Sequence, residues 1–221
     1  MKRTSIGLAV GLLVATVLGS TPASASGGGG LVAQPNAVRH GMTYAEWEAA
    51  YQVWFEEIPL DENPLAHPDS PRNCELQPGN TVFVGASGAD CAIPSGAWIG
   101  LSTYYWECST AEGLGDTYRE LRRCAEDNFS RDFGSAVSHT ILKIDGAKVR
   151  HPRRWTFTTP GEIIDFPENN LWGADPGPTK SVTEGTMYLV RPLGDGTHHI
   201  RLHVNSAQFG EFNIDYVLHV G

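Results

Sequence analysis

The sequence predicts a mainly β fold: a single β-sandwich or jelly-roll-like domain with an N-terminal amphipathic helix and a short disulfide-tethered helix. Three observations carry this. Seven short β-rich runs are divided by Gly, Pro and Asp. Gly 25 and Pro 14, with only 19% charged residues, indicate many turns and short elements, not a helical bundle. Four cysteines, Cys74, Cys91, Cys108 and Cys124, lie in one central stretch and are suited to staple a loop-rich domain. The chain has 221 residues, 41% of them apolar, which is enough for one sizeable core and excludes collagen-like and disordered classes. Lys+Arg 16 against Asp+Glu 25 gives a net charge of −9, so no basic footprint exists for nucleic acid or an anionic membrane.

Met1 to Ala25 carries Lys2 and Arg3, an apolar run from Ile6 to Leu18, and then Ala23-Ser24-Ala25, the small-residue pattern that signal peptidase cleaves. A secretory signal peptide over 1–25 is expected, giving a secreted protein after cleavage near Ala25. No later segment approaches the ~20 apolar residues of a membrane span. Residues 26–42 are expected to form a flexible N-terminal segment, starting at Gly27-Gly28-Gly29-Gly30, and residues 43–221 the domain itself.

Export places the four thiols where disulfides persist. Of the three possible pairings, Cys74 with Cys91 and Cys108 with Cys124 each close a short loop that carries its own turn residues. Each bridge removes roughly 3 kcal/mol of unfolded-chain entropy. A structural zinc site lacks the required Cys-x-x-Cys or His spacing, so no metal and no cofactor is expected.

Thr43-Tyr-Ala-Glu46 has the form of a capping box and predicts a helix to about Glu57. Tyr44, Trp47, Tyr51, Trp54 and Phe55 recur at spacings of three and four, while Glu46, Glu48, Glu56 and Glu57 lie largely elsewhere. The aromatic stripe fits a face packed on a sheet better than a sugar platform, because so short a helix needs tertiary burial. Strands are expected at 81–84, 97–105, 139–144, 155–158, 186–191, 198–204 and 212–220. Asp145-Gly146 marks a tight hairpin. Tyr118, Leu121 and Arg122 predict a short helix over about 117–126, held to the body through Cys124.

Three constellations are candidates for chemistry. Glu107, Glu112 and Glu120 follow or flank Trp106 and Cys108; paired carboxylates beside an aromatic suit acid–base cleavage of a glycosidic bond, if the fold brings them together. In Gly196-Thr-His-His-Ile-Arg-Leu-His203, period two puts His199 and His203 on one face about 13 Å apart, too far for one metal ion, which leaves His199 as a candidate proton carrier. His198 falls on the opposite, apolar face and is expected to be hydrogen-bonded in the core. Glu168, Asn169 and Asn170, between Phe166 and Trp172, could form a binding edge with Trp106, although Asn side chains also stabilise turns by bonding their own backbone. The elbow of serine hydrolases, His-Glu-x-x-His, phosphate loops and dinucleotide fingerprints do not occur.

Thr43-Tyr-x-Glu-Trp47, Asp61-Glu-Asn-Pro64, Cys91-x-Ile-Pro-x-Gly96, Glu107-Cys-Ser109, Pro167-Glu-Asn-Asn-Leu171 and Gly196-x-His198-x-Ile200 together resemble a family of uncharacterised secreted bacterial proteins. The resemblance covers about Thr43 to Val220 and implies a shared exported fold, with no catalytic residues to carry over. From the residues, the first expectation is a binding or interaction module whose partner is an extracellular glycan or an envelope component. The alternative is a secreted carboxylate-dependent glycan hydrolase or lyase. Convergence of the carboxylates in one concave pocket separates the two.

Overall fold

Pairing of the β-rich runs produces two packed sheets. The computed structural model describes residues 30–149, 152–206 and 208–221, and of residues 135–138 and 152 the backbone alone. The expected signal peptide therefore lies outside the described residues. In chain order the elements are α1 (Tyr44–Glu56), β1 (Cys74–Gln77), β2 (Thr81–Val84), β3 (Asp90–Ile93), β4 (Trp98–Ser109), α2 (Tyr118–His139), β5 (Ile141–Ile144), β6 (Ala147–Lys148), β7 (Thr156–Thr158), β8 (Glu162–Phe166), β9 (Gly177–Val190), β10 (Gly196–Ser206) and β11 (Gly210–Val220). The first sheet has the order β1-β2-β4-β9-β7, with β8 also paired to β9, and the second the order β3-β11-β10-β5-β6.

The second sheet follows period-two alternation closely. On β10, Ile200, Leu202 and Val204 are buried while Arg201 and Asn205 are exposed, and β11 buries Ile214, Tyr216, Leu218 and Val220. Asp145 and Gly146, both at positive φ, make the two-residue turn between β5 and β6 that their residue types call for. His198 is half-buried at the end of β10, where its ring nitrogens meet Asp145 Oδ2 at 2.6 Å and the Gly194 carbonyl at 2.7 Å, so its partners lie at the sheet's rim and not in the core.

Both disulfides pair as the short-loop argument expects. Cys74–Cys91 joins β1 to β3, the margins of the two sheets. Cys108–Cys124 ties α2 to β4, where Leu121, Ala125 and Val182 complete a small buried cluster. Helix α2 starts with the Thr117/Glu120 capping box but runs on to His139, well past the expected end near Glu126, and takes in only the first residue of the strand expected at 139–144. Phe129 and Phe133 hold the extension by packing on Tyr104 of β4, at ring-centroid distances of 6.1 and 5.3 Å.

The segment before α1 is not a free tether from Leu31 onward. Val32 and Ala33 are buried, Val32 bridges to Val190, and the Ala33 carbonyl accepts from Tyr44 Oη (2.8 Å) and Trp155 Nε1 (2.9 Å). These two small apolar residues extend the β9 margin and cover aromatic side chains that would otherwise face water.

Among the described residues no helix is long and apolar enough to cross a membrane.

Candidate functional site

Helix α1 has two buried faces. Its aromatic stripe packs as expected, with Trp47, Tyr51 and Trp54 around Phe83 of β2 at ring-centroid distances of 6.0, 5.2 and 5.5 Å. Of the four glutamates expected to lie away from that stripe, Glu46 and Glu57 are exposed, but Glu48 and Glu56 are fully buried with Gln52 between them. A spacing of four keeps Glu48, Gln52 and Glu56 on one line of the helix, and that line lies against a polar strip of the first sheet.

The polar strip depends on a bulge in β4. Ser102 pairs with Met187 and Tyr105 with Gly185, so Thr103 and Tyr104 together oppose Thr186 alone. Counting by twos from Ile99 and Leu101 would put Glu107 on their side. The extra residue reverses this, as bulges do: Tyr105, Glu107 and Ser109 share a face with Gly185, Thr183 and Ser181, their partners on β9. Trp106 and Cys108 turn to the side covered by α2. Gly185 makes room for the helix: a Cβ there would stand 2.6 Å from Glu48 Oε1 and 2.7 Å from the Tyr105 Cβ.

The result is a set of buried or half-buried carboxyls. Glu48 Oε1 accepts from Ser102 Oγ (2.7 Å) and Gln52 Nε2 (2.9 Å). Glu56 accepts from Trp172 Nε1. Glu107 Oε1 accepts from Ser181 Oγ at 2.5 Å, Glu112 Oε2 from Ser109 Oγ at 2.8 Å, and Glu162 Oε1 from Thr159 Oγ1 at 3.2 Å. The other oxygens of Glu48, Glu56, Glu107 and Glu162 are buried and meet no donor. Burial favours the neutral acid, and at Glu162 it outweighs the opposing pull of Arg122. It pushes Glu48 up to about 7 and Glu162 up to about 8. Glu56 is raised by burial and then by Glu112 and Glu162, and Glu107 by burial, then by Glu56 and by a hydrogen-bonding contact with the Glu112 carboxyl. The contact sets the two carboxyls side by side at the wall of one pocket. Among the described residues no three His, Cys, Asp or Glu side chains are grouped to hold one metal ion.

This set opens to the surface at one end. Tyr105, Trp106, Glu107, Glu112, Leu114 and Trp172 line a pocket of about 220 Å³. Phe133, Phe209, Tyr105 and Trp172 also border a neighbouring cleft of about 610 Å³, walled by Tyr51, Phe55 and Tyr104 and by Phe212, Ile214 and Tyr216 of β11.

Of the sequence candidates, the fold brings together Glu107 and Glu112, with Trp106 as a wall of their pocket and the Arg131 guanidinium stacked on its ring at 5.4 Å. Glu120 stands apart: it is exposed and closes the α2 capping box, accepting from Asp116 N, Thr117 N and Thr117 Oγ1. His199 is exposed on β10 and its backbone N–H donates to Asp145 Oδ1, so it does not face the carboxyls. Glu168 is exposed; Asn169 is exposed, with its amide 3.4 Å from Asp61 Oδ1. Asn170 is buried and makes four bonds, donating to the Pro167 and Ala174 carbonyls and accepting from the Trp172 and Ala174 N–H groups. It shapes the loop that presents Trp172 to the pocket and offers no polar atom to a ligand.

Glu48, Gln52, Glu56 and Glu162 were not singled out from the sequence. The available signal was the four-residue spacing of Glu48, Gln52 and Glu56 on a helix that also carries an aromatic stripe, since a helix buried on a second face must satisfy or neutralise the polar groups on it. No family model matches the chain, and neither a curated protein nor a solved structure is similar to it.

Proposed function

We propose that the protein is a secreted acid–base hydrolase whose working groups are Glu107 and Glu112. The observation that carries this reading is the contact of these two carboxyls in a pocket that also opens to the surface, where burial, and then the neighbouring Glu56, push Glu107 up. Such a pair has both halves of the chemistry: a neutral carboxyl to protonate a leaving group and a carboxylate to take a proton from water. Hydrogen-bonding contact is closer than the roughly 5 to 9.5 Å that separates the acids of glycosidases, so the pair suits an acyl bond better than a glycosidic one. The two disulfides support maturation in an oxidising compartment, and cleavage near Ala25 is the route proposed for reaching it. An aromatic-lined cleft would also hold a ligand without turnover, which favours the binding module as the second reading.

A panel of amide, ester and glycosidic substrates, followed by mass spectrometry between about pH 4 and 8, separates the two. Turnover is expected for an acyl bond, with Glu107→Gln and Glu112→Gln each lowering kcat at least about 100-fold and leaving KM little changed. Absence of cleavage across the panel, or full activity in both variants, would overturn the hydrolase reading.

A further inference from the structure

Charge is spread unevenly along this acidic chain. Of its 25 acidic residues only Asp145 lies between Asp132 and Glu162, a stretch that holds five of the 16 Lys and Arg. Asp145 is already engaged: its carboxylate meets His198 Nδ1 and accepts from the His199 N–H. Lys143, Lys148, Arg153 and Arg154 are exposed, and none forms an ion pair with a described residue. Lys143 and Lys148 stand directly opposite each other on β5 and β6. Like charges so placed repel, and no described carboxylate comes within ion-pair reach to relieve them.

Lys148 and Arg154 line a pocket of about 470 Å³, within the range of ligand sites, roughly 300–1,000 Å³. The pocket lies where the margins of the two sheets meet. Leu31 and Val32 come from the segment that extends the β9 margin, Val149 follows β6, and Trp155 precedes β7; these four supply its apolar surface. Gln34 adds an exposed amide that makes no side-chain hydrogen bond to a described residue, and no acidic residue is among those lining the pocket. The Lys148, Arg154 and Gln34 side chains all stand where a solute reaches them. Val190, which bridges to Val32, is seven residues along β9 from Thr183, the partner of Glu107, or about 23 Å at roughly 3.3 Å per residue. The pocket shares no lining residue with the carboxyl pocket or the aromatic cleft.

We infer that this pocket is a second site, which binds a small organic anion: Lys148 and Arg154 pair with a carboxylate or phosphate head, and Leu31, Val32, Val149 and Trp155 cover an apolar body. Both halves of the ligand are needed. Exposed ion pairs are weak and hold a bare ion poorly, whereas covering an apolar body adds the burial that an ion alone cannot supply. A neutral apolar molecule leaves the two cations unpaired. The inference is independent of the hydrolase reading.

The purified protein is titrated by calorimetry at neutral pH with 4-phenylbutanoate and 2-phenylethyl phosphate. The amide 4-phenylbutanamide is the neutral control, and acetate and inorganic phosphate are heads without a body. At least one of the two aromatic anions is expected to bind at least about tenfold tighter than the amide or the bare ions, and the tighter of them identifies the head group. Raising the ionic strength from about 0.02 to about 0.5 M should weaken that binding at least about fivefold. Lys148→Gln and Arg154→Gln alter exposed side chains, so each is expected to leave thermal unfolding of the free protein unchanged while weakening binding at least about fivefold. Lys180→Gln, which removes an exposed cation outside the pocket, should leave the affinity as it was. Three results would each overturn the inference: no binding of either aromatic anion at millimolar concentration, equal binding of the amide or the bare ions, or an affinity that the Lys148 and Arg154 variants lower no more than Lys180→Gln does.

Discussion

Replacing Glu48 by Gln isolates what the buried acids do to stability. The amide oxygen retains the position that accepts from Ser102 Oγ and Gln52 Nε2, the volume is unchanged, and the titration is removed. In the fold, burial lifts Glu48 from its ordinary 4.5 to about 7. The folded state therefore keeps the proton over a range where the unfolded chain releases it. Stability present below pH 4.5 is lost progressively as pH rises to about 7, and stays lost above that. At about 1.36 kcal/mol per pH unit, the loss at this one residue is about 3 kcal/mol. The variant is thus expected to match the wild type near pH 4.5 and to exceed it at pH 8 by up to about 3 kcal/mol, or roughly 6–12 °C in Tm for a domain of this size. Denaturant and thermal unfolding at both pH values, with disulfides intact, measure the difference. Identical pH dependence in the two proteins, or a variant less stable at both pH values, would refute the reasoning.

The same sign holds for Glu162, raised to about 8, so Glu162→Gln is expected to flatten the fall in stability of the wild type between pH 6 and 8 in the same unfolding series. Gly185→Ala drives a methyl group to 2.6 Å from Glu48 Oε1 and 2.7 Å from the Tyr105 Cβ, and thermal unfolding should show a loss of roughly 1–3 kcal/mol as α1 is pushed from the sheet. Asn170→Ala removes four bonds in the Trp172 loop; a loss of about 1–3 kcal/mol and a red-shifted tryptophan emission are expected. Removing Cys108–Cys124 by a double Ser substitution frees α2 from β4 at a cost of about 3 kcal/mol, read by denaturant unfolding.

The second sheet and the covalent framework were legible because each rests on local chemistry. β10 and β11 alternate without interruption, Asp145-Gly146 supports one turn type, and the short Cys loops favoured one pairing. β1, β3 and β8 were not recognised, and each for a local reason. β1 and β3 are four residues long and carry a cysteine. β8 buries Glu162 at a position where alternation calls for an apolar residue. The end of α2 was missed because Asn128, Ser130 and Gly134 are weak helix formers, and what keeps them helical is Phe129 and Phe133 against Tyr104. Of the site, Glu107 and Glu112 were visible as acids near an aromatic. Their partner Glu56 was not, since only the docking of α1 onto a bulged strand turns a glutamate that helical spacing leaves off the aromatic stripe into a buried one.

The acids of the site come from α1, from β4 and the turn that follows it, and from β8, segments far apart along the chain. No stretch of the polypeptide carries the set by itself, and in an extended chain each carboxyl returns to ordinary acidity. The surroundings that raise Glu48, Glu56, Glu107 and Glu162 therefore exist only once these distant segments have assembled.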